Sequence, residues 1–100
     1  MTDYKEKAKE LLREVETRKV KASLAIREYE ERFYQKGESL SATEAADWTS
    51  KEFMELDLRN ERDAVYNTIV ALEILDPEEA AEYIAAVGKE LGVNEVRTRL

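Results

Sequence analysis

The segment 59–63, with the sequence RNERD, places four charged side chains among five residues. Arginine donates a fork of hydrogen bonds that matches carboxylates and phosphates, so this cluster suits an anionic ligand or an internal ion pair. Arg18 is a second charged residue of this kind, since it interrupts an otherwise apolar seam. Two interpretations follow. Arg18 and Arg62 line a polar pocket for an anion, or Arg18 pairs with Glu61.

Carboxylates also recur three residues apart, a spacing that puts them on one helix face. Di-iron bundles combine such glutamates with histidine, but this chain contains no His and no Cys. Imidazole catalysis, thiol chemistry, disulfides and the usual zinc sites are therefore excluded. We predict no catalytic residue, no metal site and no cofactor. The three carboxylate pairs are Glu28/Glu31, Glu52/Glu55 and Glu79/Glu82.

Long helices must position these groups, because only three Gly and one Pro interrupt the 100 residues. Apolar residues recur at steps of three and four, which indicates helical seams. We predict helix 1 over about 3–36, helix 2 over about 42–75 and helix 3 over about 77–91. Residues 1–92 then form a single domain, and residues 93–100 form a flexible tail.

The predicted fold class is all-α, a long antiparallel helical hairpin plus a short third helix. The third helix either completes a three-helix bundle or leaves apolar stripes that an oligomeric bundle covers. Ser41 and Glu44 read as a capping box that begins helix 2. Thr49 and Glu52 repeat that pattern, which leaves a break in helix 2 near Trp48 open.

The hairpin register follows from the position of its turn. A turn near residue 39 or 40 brings together residues whose numbers add to about 79 or 80, so Arg18 faces Glu61 and Arg32 faces Asp47. We predict that Arg18 and Glu61 form a buried polar pair that fixes this register. Removing one partner of such a pair costs roughly 3–5 kcal/mol.

The order of a helix of over thirty residues, the charged segment 59–63 and the helix opening Leu75-Asp76-Pro77-Glu78 resembles the helical chorismate mutases. The resemblance implies an all-helical enzyme whose long helix supplies arginines and a lysine around a dianion. The chain departs from that family in its arginine spacing, and its only glutamine is Gln35. The residues that the resemblance offers for the dianion are Arg13, Arg18, Lys19, Arg27 and Lys36.

The net charge of −7 is unevenly distributed. Residues 38–76 hold 10 acidic and 3 basic side chains, a net charge of −7, whereas residues 1–37 carry a net charge of +2. Clustered like charge of this kind suits a partner with a basic surface. We therefore predict that the outer face of helix 2 binds a protein. The candidate contact residues are Glu44, Asp47, Trp48, Glu52, Phe53, Glu55 and Asp63.

These observations favour a small acidic protein-binding or regulatory module that acts through its surface and is not an enzyme. The alternatives are a structural homo-oligomer subunit and the chorismate-mutase-like enzyme. We expect self-association, since a short third helix leaves apolar stripes uncovered. A nucleic-acid partner is excluded by the acidic balance, and a membrane span by the absence of an apolar run approaching about 20 residues. A cytoplasmic location is predicted.

Overall fold

The computed structural model describes residues 3–99, with side chains described for residues 3–92. Helix α1 spans Tyr4–Glu30 and continues as a π-helical turn over Glu31–Gln35, α2 spans Ala42–Ala71, and α3 spans Pro77–Arg99. The described residues contain no β-strand, so the predicted all-α class is confirmed. Helix α1 packs along α2 as the predicted hairpin, and α3 folds back mainly onto α1.

Local capping chemistry sets both ends of α1. Asp3 caps the helix, since its Oδ1 accepts hydrogen bonds from the amides of Lys5 at 3.0 Å and Glu6 at 3.3 Å. The last turn widens to π geometry, and Gly37 ends it at φ +66°, a conformation that glycine adopts without steric cost. The sequence predicted one regular helix to residue 36.

Helix α2 begins at the predicted capping box. The Glu44 amide donates to Ser41 Oγ at 3.1 Å, and the Ser41 amide donates to Glu44 Oε1 at 3.2 Å. The helix is continuous past Trp48, and the Thr49 hydroxyl donates to the Ala45 carbonyl at 3.0 Å, as a threonine inside a helix does.

The end of α2 lies at Ala71, four residues before the predicted end. The Glu73 amide donates to the Val70 carbonyl at 3.0 Å, and the Ile74 amide donates to the Ile69 carbonyl at 3.1 Å. These two bonds form a Schellman motif, which needs a left-handed residue, and Glu73 supplies it at φ 58°. Sequence reasoning missed this end because the left-handed residue is not a glycine.

Helix α3 begins at Pro77, as predicted. Asp76, the residue before it, caps the helix by accepting a hydrogen bond from the Glu78 amide at Oδ2, at 3.2 Å. It continues to Arg99 and so passes the end predicted near Gly92. The flexibility of residues 93–100 stays a prediction, because their side chains lie outside the described residues. Lys9 pairs with Glu79 at 3.9 Å, and Arg13 pairs with Glu90 at 3.4 Å, so α3 lies beside α1.

The core lies at the root of the hairpin, where all three helices meet. It is built from Ala8, Leu12, Ile69, Leu75 and Ala80. The molecule measures 55 × 27 × 21 Å, and its radius of gyration of 16.3 Å exceeds the roughly 13 Å of a compact 100-residue domain. Within residues 25–54 no side chain is fully buried, so the half of the hairpin near its tip has little core of its own.

Candidate protein-binding site

Arg18 and Glu61 lie where the register predicted. Arg18 Nη1 is 3.2 Å from Glu61 Oε1, and the bond joins α1 to α2. The side chains are 49% and 46% exposed, so the pair is not buried as the sequence predicted. The reason is that both residues lie on the rim of the hairpin seam, on a side that α3 does not cover.

Glu16 is the buried charge in this part of the molecule, at 3% exposure. Its carboxylate accepts a hydrogen bond from Arg62 Nη1 at 3.2 Å and pairs with Lys19 Nζ at 3.3 Å. A Cβ added to Gly88 of α3 would lie 3.0 Å from Glu16 Oε1, so the carboxylate fills the space that this glycine leaves. Three helices therefore meet at one buried carboxylate.

Sequence reasoning missed Glu16, although a signal was present. Glu16 and Arg62 have numbers adding to 78, which fits the register that brings Arg18 to Glu61. Glu16 and Arg18 stand two residues apart, so their side chains diverge by about 200° around α1. Arg18 and Arg62 consequently serve different carboxylates, and the structure does not bring them together around one anion.

Two of the three arginines that the chorismate-mutase resemblance offers are also engaged with carboxylates. Arg13 pairs with Glu90, and Arg18 pairs with Glu61. Tyr83 and Glu90 together raise the pKa of Arg13. These contacts engage two of the guanidinium groups that a dianion would need, so Arg13 and Arg18 lend no support to that chemistry.

An aromatic cluster, here called the tip cluster, closes the far end of the hairpin. Trp48 stacks on Tyr29 at 6.0 Å between ring centroids, and it also contacts Phe33 at 5.9 Å and Tyr34 at 6.0 Å. This packing against Tyr29 and Phe33 holds Trp48 inside the cluster and makes it unsuitable as a free anchor for a partner. Its Nε1 is buried and has no acceptor among the described side chains.

Asp47, another of the predicted contact residues, is bonded to the tip cluster. Asp47 accepts a hydrogen bond from the Tyr29 hydroxyl at 2.7 Å and pairs with Lys51 at 3.1 Å. The Tyr29 hydrogen bond, followed by the one from Lys51, lowers the pKa of the Asp47 carboxyl. The same bond raises the pKa of the Tyr29 phenol. Asp47 is therefore occupied within the hairpin.

Glu44 is occupied in the same way. It lies 2.7 Å from Arg32 Nη2, and the Ser41 backbone, followed by Arg32, lowers the pKa of its carboxyl. Arg32 also pairs with Glu38 at 3.4 Å. The sequence placed Arg32 opposite Asp47 in the hairpin register, but Arg32 pairs with Glu38 and Glu44, and Asp47 bonds to Tyr29 and Lys51.

Glu55 faces inward and not toward the outer surface as predicted. It is 9% exposed, accepts a hydrogen bond from Ser23 on α1 at 3.4 Å and pairs with Arg59 at 2.6 Å. Asp63 is exposed but pairs with Arg62 at 3.0 Å. Both carboxylates therefore have internal partners.

The remaining predicted residues, Glu52 and Phe53, are on the surface. Phe53 is 66% exposed, and Leu56, one turn later, is 47% exposed. Glu52 and Asp57 flank these two side chains, are exposed, and form no ion pair with any described residue. We call this set the outer face of α2: Glu52, Phe53, Leu56 and Asp57. Sequence reasoning missed Leu56 and Asp57, although the three-residue step from Phe53 to Leu56 was readable.

A second exposed apolar region lies between α1 and α2. It is a groove of about 480 Å³ whose floor is apolar and whose edges carry basic side chains. Met54 is 53% exposed within it. We call this region the open groove, and its lining residues are Arg18, Lys21, Ala22, Ala25, Lys51, Met54 and Leu58. Toward the hairpin root a smaller groove continues the apolar surface at Leu11, Ala64, Val65, Thr68 and Ile69.

No family model matches this chain, and neither a curated protein nor a solved structure matches it. In the part of the chain that the structure describes, no group of three or more carboxylates is arranged to hold a metal ion. None of the described helices combines the length and the apolar character needed to cross a membrane.

Proposed function

We propose that this chain is a small protein-binding module of the cytoplasm, and that the outer face of α2 recognises a partner with a basic surface. The observation that carries the proposal is the exposure of Phe53 and Leu56 side by side, between two carboxylates that have no internal partner. Neither side chain contributes to the core of the hairpin, so the fold itself does not account for their position.

The chemistry of the outer face suits a partner that offers an apolar pocket with a cationic rim. Aromatic side chains that fill such pockets contribute a large share of the binding energy at protein interfaces. The unpaired carboxylates and the net charge of −7 would steer a basic surface toward this face and raise the association rate. Carboxylates that are already paired, such as Glu55, have little charge left to offer.

The test is capture of partners from lysate with two matched variants. Phe53→Glu changes the outer face, and Met54→Glu makes the same change one residue away, in the open groove. A specific partner should bind the wild-type chain and Met54→Glu but not Phe53→Glu. Capture that is equal for the two variants would contradict the proposal.

The electrostatic part is tested separately by Glu52→Lys. Its association rate with the captured partner should fall at low salt and depend less on salt, because the reversal removes attraction during encounter. Glu10→Lys on α1, also exposed, makes the same charge change away from the face and should leave the rate nearly unaltered. Equal rates for the two variants would show that the acidity serves solvation alone.

A second candidate function, a structural subunit that assembles with itself, is favoured by the open groove. Each square ångström of apolar surface left in water costs about 25 cal/mol, and this groove exposes a continuous apolar floor. Self-assembly uses the open groove and capture of a basic partner uses the outer face of α2, and the two regions adjoin at Asp57.

A further inference from the structure

The α1–α2 layer has two sides, and α3 covers only one of them. Glu16 faces the covered side, where its carboxylate lies against Gly88. Arg18 diverges from Glu16 by about 200° and lines the open groove on the opposite side. The open groove is therefore the side of the hairpin that α3 leaves uncovered and that a further helix could cover.

The rims of the open groove carry two unpaired charges of opposite sign. Lys21 stands one turn from Arg18 and from Ala25, on the outer edge of α1. Asp57 stands one turn from Met54 and Glu61, on the outer edge of α2. Both are exposed, and neither forms an ion pair with a described side chain. Their residue numbers add to 78, so Lys21 and Asp57 lie at nearly the same height as each other, about one turn from the Arg18–Glu61 pair.

We propose that a second copy of this chain covers the open groove, related by a two-fold axis along the hairpin. Helix α1 of each copy then packs on α2 of the other. Because Lys21 and Asp57 share one height on opposite rims, this axis brings Lys21 of each copy to Asp57 of the other. The second copy also brings its own Arg18–Glu61 pair to the interface, so positive and negative side chains alternate around the axis.

The same axis matches large side chains with small ones. Met54 and Ala25 lie at one height across the groove, so the exposed thioether of each copy meets the small side chain of the other. Leu58 and Ala22 are related in the same way. A large side chain facing a small one lets two helical layers interdigitate at close range.

The available area also fits a second copy. The face is as long as the 27 residues of α1, about 40 Å, and as wide as two helices, about 20 Å. Its footprint of about 800 Å² equals one side of a standard protein interface. The charged side chains that line the groove are basic, and Asp57 and Glu61 stand on its α2 rim, so this side of the hairpin carries both signs of charge, whereas the outer face of α2 is acidic. A copy docking through that outer face would bring like charges together.

This inference rests on the second candidate function, self-assembly, and not on capture of a basic partner. The test is the mass of the full-length chain by sedimentation equilibrium from 1 to 100 µM. The wild-type chain should be a dimer. Met54→Glu should weaken the dimer by at least about 100-fold, since each copy loses one buried apolar side chain and gains a charge. Phe53→Glu, the adjacent control on the outer face, should leave the dimer intact.

The orientation is tested by exchanging the rim charges. Lys21→Glu and Asp57→Lys should each weaken the dimer by about tenfold, because each creates two like-charge contacts. The combined variant, Lys21→Glu with Asp57→Lys, should restore the wild-type dimer to within a few-fold. Both positions are exposed, so circular dichroism should show unchanged helicity, and the exchange remains decisive if Met54→Glu fails to fold.

Three results would overturn the inference. A monomeric wild-type chain at 100 µM, including one whose groove binds a different protein, would also remove the second candidate function. A dimer that Phe53→Glu dissociates would place the interface on the outer face. A dimer that the charge exchange does not restore would reject the proposed axis while leaving self-assembly in place. The first and third results leave the capture experiment with Phe53→Glu and Met54→Glu unchanged, whereas the second would assign Phe53 to self-assembly.

Discussion

Replacing Arg62 by leucine should destabilise the fold far more than removing any exposed arginine. The substitution leaves the Glu16 carboxylate, 3% exposed, with Lys19 as its remaining cation. Loss of one partner from a buried ion pair costs roughly 3–5 kcal/mol, and the persistence of Lys19 puts the expected loss near the lower limit, about 3 kcal/mol. At 4–8 °C per kcal/mol, the melting temperature of a domain this size should fall by about 12–24 °C.

The assay is urea unfolding followed by circular dichroism at 222 nm, with two comparison variants. Arg13→Leu removes an ion pair that also joins two helices but is half exposed, and it should change the unfolding midpoint little. Glu16→Leu combined with Arg62→Leu should recover most of the loss, because apolar side chains often replace a buried pair without cost. If Arg62→Leu costs no more than Arg13→Leu, Glu16 does not depend on Arg62 and the reasoning is refuted.

Two further predictions concern α3 and the tip cluster. Gly92→Ala should stabilise the fold by about 1 kcal/mol through helix propensity, since nothing lies within 4 Å of the added Cβ. Gly88→Ala should give no such gain because Glu16 Oε1 is 3.0 Å away, and equal urea midpoints for the two variants would contradict this. The fold lowers the pKa of Asp47 from 3.8 and the pKa of Glu44 from 4.5. The two carboxylates therefore stabilise the fold at a pH above these usual pKa values, and that stabilisation is lost as the pH falls through the lowered pKa values. Trp48 fluorescence should therefore report opening of the tip below about pH 4, and Asp47→Asn should shrink that acid transition; an unchanged transition would exclude Asp47 as its source.

The sequence by itself determined the features that depend on neighbours along the chain. The cap at Asp3, the capping box at Ser41 and the Asp76-Pro77 start of α3 all involve groups within a few residues of one another. The turn position then set the register that brings Arg18 to Glu61, since the rise per residue is the same on both helices.

Only the tertiary structure decided which charges are buried. Glu16 and Arg18 flank the same apolar seam of α1, and periodicity treats the two sides of a seam alike. The side that α3 covers becomes interior, which buries Glu16 with Arg62 and leaves Arg18 and Glu61 in solvent. Glu55, which the sequence suggested for the surface, is likewise drawn inward by Ser23 and Arg59. The choice depends on where α3 packs, and that is a contact between residues about 70 positions apart in the chain, which no local pattern encodes.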